Sequence, residues 1–128
     1  MTLTGEYRGV SIFELDVTTC TTRNRQTFDT SVSADDRVQL LESLESATAG
    51  TIIVGVTIDT AETNGTAVSF QNIVGSFFTR YNMNLNGFGF RDKFAFIIQK
   101  GYPKKTIFLR KSRFAAGSLN MTYLPFGR

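Results

Sequence analysis

Few residues in this chain could carry out chemistry by the usual routes. It has no histidine and a single cysteine, Cys20, set in a Thr-rich stretch. An imidazole general base and a clustered Cys/His metal site are therefore excluded, and Cys20 has no neighbour in sequence that would activate it. The groups that remain bind rather than react. Asp59 follows an apolar run at the point where a polar loop begins, and Phe90, Arg91 and Asp92 close an Asn- and Gly-rich connection. Loops at strand ends are where binding groups tend to sit. A carboxylate accepts from two neighbouring hydroxyls, a guanidinium donates in a fixed fork, and Phe90 or Phe88 offers an apolar face. That set suits a sugar. It also suits a plainer role, in which Arg91 pairs with Asp59 or Asp92 to tie two loops and Phe90 fills the core. With no acid–base or nucleophile constellation, the expectation is a chain that is not an enzyme and needs neither cofactor nor metal.

The elements that would position these residues can be traced from hydrophobic periodicity. Residues 8–17 predict a strand whose apolar phase slips by one between Ile12 and Phe13, from a β-bulge or from burial on both faces. A loop over Thr18–Arg25 leads to a second strand at Gln26–Ser31 anchored by Phe28. Ser33 with Asp36 resembles a capping box, and Val38, Leu41, Leu44 and Ala47, widened by Leu40, predict a helix over 34–48 that Gly50 ends. The β-branched run 51–58 predicts a central strand buried on both faces. A second helix over 67–81 carries Phe70, Val74, Phe77 or Phe78, and Tyr81 as a core stripe. Phe94, Phe96 and Ile98 alternate in the next strand, and a basic strand lies around Thr106–Lys111. Residues 114–128 are apolar enough to pack on the domain or a partner, with a strand near 118–124. The order strand, strand, helix, strand, helix, strand, strand gives one α+β domain over 1–128, mainly antiparallel.

Composition sets the limits. Of 128 residues, 41% are hydrophobic, with twelve Phe, which supports a packed interior. No apolar run approaches the ~20 residues of a membrane span, and residues 1–6 are polar, so no secretory signal is expected. The net charge of +3 is unevenly placed. Residues 93–128 hold eight basic residues and no acid; residues 1–92 hold six basic residues against eleven acids. The basic part faces solvent or an anionic partner surface.

Four segments are similar, in order, to motifs of the interleukin-like EMT-inducer and pancreatic-derived-factor family. They are Arg8–Leu15; Gln26-Thr27-Phe28-Asp29-Thr30; Gly50–Val54 with Thr57-Ile58-Asp59; and, most specifically, Gly89-Phe90-Arg91-Asp92-Lys93-Phe94-Ala95-Phe96-Ile97-Ile98-Gln99-Lys100-Gly101. The resemblance spans about residues 8–101. It implies two twisted antiparallel sheets packed as a sandwich with two or three flanking helices, and no catalytic centre. A related sugar-binding stem domain contacts its ligand through residues that match Asp59 and Arg91. The paired cysteines of secreted cytokine-like members are missing here.

Two roles follow as expectations. One is a non-catalytic carbohydrate-binding module with a glycan ligand at Asp59, Phe90, Arg91 and Asp92, possible in host-surface recognition. The other is a structural subunit of a larger assembly such as a tailed-phage virion, placed in the virion or outside the cell, with residues 102–128 contacting protein partners or a second copy. Nucleic-acid binding through 93–113 fits poorly, because the aromatics there alternate as core residues instead of interleaving with the charges.

Overall fold

The structure, a computed structural model, describes residues 8–62 and 69–112. They form strands β1 (Gly9–Asp16) and β2 (Thr21–Phe28), helix α1 (Ala34–Ser46), strand β3 (Ile52–Ile58), helix α2 (Ser69–Arg80), and strands β4 (Lys93–Gln99) and β5 (Ile107–Lys111). The strands make one antiparallel sheet in the order β2-β1-β3-β4-β5. The fold is therefore α+β, with β3 central as its β-branched sequence requires. One sheet and two helices are formed by the described residues. The strand expected near 118–124 lies outside them.

Both helices pack on one face of the sheet. Val10, Ile12, Phe28, Ile53, Phe94, Phe96 and Ile98 point toward Leu40 and Leu44 of α1 and Phe70, Val74, Phe77 and Phe78 of α2. Within this core the rings of Phe70, Phe78, Phe88, Phe94 and Phe96 meet edge-on, tilted or stacked, with Phe78–Phe94 centroids 5.2 Å apart. Such contacts add ~0.5–1.5 kcal/mol per pair beyond burial. Gly55 is fixed by this packing: a Cβ there would sit 2.3 Å from the Phe96 ring. The opposite face carries a smaller cluster of Ile52, Val54 and Ile97, flanked by Phe13, Leu15 and Ile107.

That two-sided burial explains the phase slip in β1. Val10 and Ile12 face the helices while Phe13 and Leu15 face the other way, and β1 pairs with β3 without interruption from Gly9 to Leu15. A bulge does exist, but on β2. Between the pairs Ile12↔Gln26 and Glu14↔Arg23, two steps along β1 match three along β2, and Asn24 takes φ 56°. β2 also begins at Thr21, five residues earlier than hydrophobicity suggests. Six of its eight residues are exposed, so an edge strand held by ladder bonds had no apolar pattern to reveal it.

Other boundaries shift for local reasons. Ser33 caps α1 as expected, its Oγ accepting from Asp36 N at 3.1 Å. The Asp36 carboxylate reaches past Ser33 to accept from Asp29 N at 2.7 Å. The buried stripe is Leu40 and Leu44, and Val38 is exposed. α1 stops at Ser46, four residues before Gly50, so Gly50 is not its C-cap. The helix end is instead held by Lys100, whose Nζ donates to the carbonyls of Glu45 and Ala47. Gly50 takes φ 93° where the chain enters β3, with its N–H on Lys100 O at 2.7 Å. The connection 82–92 is irregular, yet it buries Met83, Leu85 and Phe88.

Candidate functional site at the β3–β4 rim

β3 and β4 are neighbours and antiparallel, so the end of one meets the start of the other. Beyond the last ladder pair, Val56↔Ala95, Thr57 Oγ1 accepts from Phe94 N at 3.2 Å and donates to Phe94 O at 3.3 Å, which keeps the two chains together. The chain then turns at Asp59, whose φ is 54°. Thr60, Ala61 and Glu62 fold inward and are at most 2% exposed. On the facing side Gly89–Asp92 forms a turn closed by Asp92 N to Gly89 O at 3.1 Å and Gly89 N to Asp92 Oδ2 at 2.8 Å. Phe90 and Arg91 occupy its corners. Arg91 is the third residue, with φ 65°, a conformation that Gly or Asn usually fills.

The two loops are joined mainly through the backbone. The Thr60 hydroxyl accepts from Arg91 N at 2.9 Å and donates to Glu62 O at 2.8 Å, while Thr60 O accepts from Gly9 N at 2.7 Å. Lys93 Nζ donates to Asp59 O. Thr30 Oγ1 donates to Ala61 O at 2.9 Å and Ser31 Oγ to Glu62 O at 3.3 Å. The buried Glu62 carboxylate accepts from Phe70 N at 3.0 Å and Gln71 N at 3.4 Å, fixing the start of α2. Within this frame Arg91 Nε lies 3.5 Å from Asp59 Oδ1. The guanidinium carbon sits 5.1 Å from the Phe90 ring centre.

The residues singled out from sequence are thus brought together. Asp59 and Arg91 meet with side chains 48% and 58% exposed, so they face solvent. Phe90 is half-buried and stands outside the core cluster, whereas Phe88 is 1% exposed and belongs to it. Phe90 is therefore the ring available to a ligand and Phe88 the core filler. Asp92 directs one carboxylate oxygen into its own turn, the turn that carries Phe90 and Arg91. Three cavities lined by described residues flank β1, β2 and α1, and none includes Asp59, Phe90, Arg91 or Asp92. The rim is an exposed ledge.

The motifs that suggested a family now have structural roles. Phe28-Asp29-Thr30 supplies a core ring, an ion pair to Arg8 at 3.1 Å and the bond to Ala61 O. Gly89–Asp92 makes the turn that lifts Phe90 and Arg91. Phe94, Phe96 and Ile98 face the core, Lys100 holds the end of α1, and Gly101 N donates to the Tyr81 hydroxyl at 2.8 Å. The model of the interleukin-like EMT inducer family matches residues 8–102. The chain belongs to this family. The match stops at the turn into β5, so β5 lies beyond the matched residues. No curated protein matches the chain.

Among the interleukin-like EMT inducer motif residues, Arg91 is tied by its backbone N–H to Thr60 and by its exposed side chain to Asp59 and the Phe90 ring. Of the residues that do the holding, Lys93 and Lys100 enter the sequence reading only as part of the family motif, and Thr60 and Glu62 are not singled out there. Thr60 and Glu62 sit in a stretch that looks like an ordinary polar loop, and their partners outside it, from Gly9 to Arg91, are distant in sequence. Of the basic residues expected to face solvent, Lys104 does. Arg110 instead spans the carbonyls of Asn84 and Asn86, both at 2.9 Å, over the Phe88 ring.

Proposed function

We propose that this chain is a non-catalytic carbohydrate-binding module whose contact surface is the rim formed by Asp59, Phe90 and Arg91. One observation carries the reading. Asp59 and Arg91, which face each other, both hold positive φ, as Cys20, Asn24 and Asn82 do elsewhere; Asp and Asn tolerate that conformation, but it disfavours an arginine by ~1–2 kcal/mol. An exposed ion pair returns only ~0–1 kcal/mol. The loops are already tied by Thr60 and Lys93, so pinning does not explain the pair. A ligand does: Asp59 accepts from hydroxyls, the outer nitrogens of Arg91 donate, and the Phe90 face covers apolar C–H groups. The open geometry suits one or two sugar units bound weakly, as on a glycan presented in many copies.

A glycan array probed with the full chain tests this. A defined sugar class should bind, and Arg91→Ala should weaken it by ~1.5–3 kcal/mol, the range for a charged hydrogen bond, with the fold intact. Binding that is indifferent to Arg91→Ala and Asp59→Asn removes the rim from consideration. The reading includes a finer architecture in which a second sheet completes a sandwich over Ile52, Val54 and Ile97. Its support is that these apolar residues lie on the face neither helix covers. The same face favours the second reading, a subunit of a larger assembly such as a virion. Native mass measurement separates the two, since a homo-oligomer without sugar binding favours the subunit.

A further inference from the structure

A cavity of about 800 Å³ opens on the helix side of the sheet, at the end remote from the Asp59–Arg91 rim. It arises because α1 stops at Ser46 while the sheet continues beneath it through Glu14, Arg23 and Thr51. The β2 bulge at Asn24 turns the strand so that four successive residues, Arg23 to Gln26, all reach the mouth. Ile12 and Ile53 form an apolar floor, and Ser43, Ser46, Thr48 and Thr51 place hydroxyls on the far wall. A volume of this order lies within the ~300–1,000 Å³ of small-molecule sites.

The charges favour an anion. The charged lining groups are Glu14, Arg23 and Arg25, two cations against one acid. Arg23 gives its Nε to Glu14 Oε1 at 3.1 Å, which leaves its outer nitrogens directed elsewhere. Arg25 is exposed and has no partner among the described residues. The C-terminal end of α1 also faces the cavity and would repel an anion, but Lys100 neutralises it through the carbonyls of Glu45 and Ala47. Glu42 and Glu45 line only the adjoining cavity, and Glu45 is paired with Arg80.

We propose that this cavity is a second ligand site, separate from the rim, for a polyhydroxyl compound bearing one anionic group, the chemistry of an acidic sugar. Arg25, with the free edge of Arg23, takes the anion as a planar fork. Asn24, Gln26 and the four hydroxyls meet the remainder, and the apolar floor receives its C–H face. The proposal does not depend on sugar binding at the rim.

Nuclear magnetic resonance titrations of the full chain with glucuronate, glucose and inorganic sulfate provide the test. Glucuronate should move the amide signals of Asn24 and Thr48 and the Arg25 side chain, at least tenfold more tightly than glucose or sulfate. Arg25→Gln should weaken glucuronate at least fivefold, while Lys104→Gln, an exposed cation elsewhere, should not. An equal response to sulfate makes this a site for an adventitious ion only and overturns the proposal. An equal response to glucose, or glucuronate binding unaffected by Arg25→Gln, overturns it as well. The Arg25 side chain is exposed and has no hydrogen-bond or ion-pair partner among the described residues, so a folding defect in the variant does not blur the result.

Discussion

Two arginine–carboxylate pairs stand at opposite ends of one sheet, and they differ in how they come to exist. Glu14 and Arg23 are register partners on adjacent strands, both in extended backbone, and they meet at 3.1 Å because the ladder puts them side by side. Asp59 and Arg91 are 32 residues apart on two loops, both at positive φ, and approach only to 3.5 Å. A cross-strand pair follows from the fold and adds ~0.2–1 kcal/mol. A pair that sets an arginine in a disfavoured backbone conformation does not fully repay it through its own attraction in water. Backbone strain beside a weak exposed contact is the observation on which the proposed ligand role of the rim rests.

The largest effect should come from removing what holds the rim. Glu62→Gln deprives the α2 start of a charged acceptor inside the core, and Thr60→Val removes the hydroxyl bonds to Arg91 N and Glu62 O. Each should lower unfolding free energy by ~1.5–3 kcal/mol in urea titrations. A loss below ~0.5 kcal/mol for both would show that the rim is held by something other than this buried frame. A smaller effect is expected at the cross-strand pair. Arg23→Ala should destabilise by no more than ~1 kcal/mol and leave sugar binding at the rim unaltered. A larger loss would mean that the Glu14–Arg23 pair contributes more than register alone explains.

The smallest effect concerns pH. The Arg80 guanidinium donates to Glu45 and holds its carboxyl below the ordinary value of 4.5. The pair therefore contributes stability above that value and loses it as pH falls through the lowered folded value. Both side chains are about half exposed, so the contribution is under ~1 kcal/mol and shrinks with salt. Acid unfolding of Glu45→Gln beside the parent chain measures it, and a parent chain no more acid-sensitive than the variant would rule the contribution out.

Much of the scaffold was legible in sequence because it rests on periodicity. The run 52–58 had to be central, α2 had to bury its aromatic stripe, and Ser33 had to cap α1. β2 was misplaced because an exposed edge strand carries no apolar alternation. Gly50 misled because a glycine after a helix and a glycine entering a strand look alike, and only Lys100, distant in sequence, shows which it is. At the rim, the residue types of Asp59 and Arg91 were legible. Their backbone setting was not. Positive φ at both residues, and the Thr60 hydroxyl that makes the pair unnecessary for holding the loops, depend on contacts that no local spacing encodes.

Arg91→Gly gives the most direct test, because glycine accepts the φ of 65° without strain. Stability by urea titration and affinity for the array-selected sugar should be measured on the same preparation. If Arg91 is kept for a ligand, the variant should be as stable as the parent or up to ~1 kcal/mol more so, with sugar binding lost. If the variant is less stable by 1 kcal/mol or more and still binds the sugar, the Asp59–Arg91 pair is a structural tie and the rim is not the site.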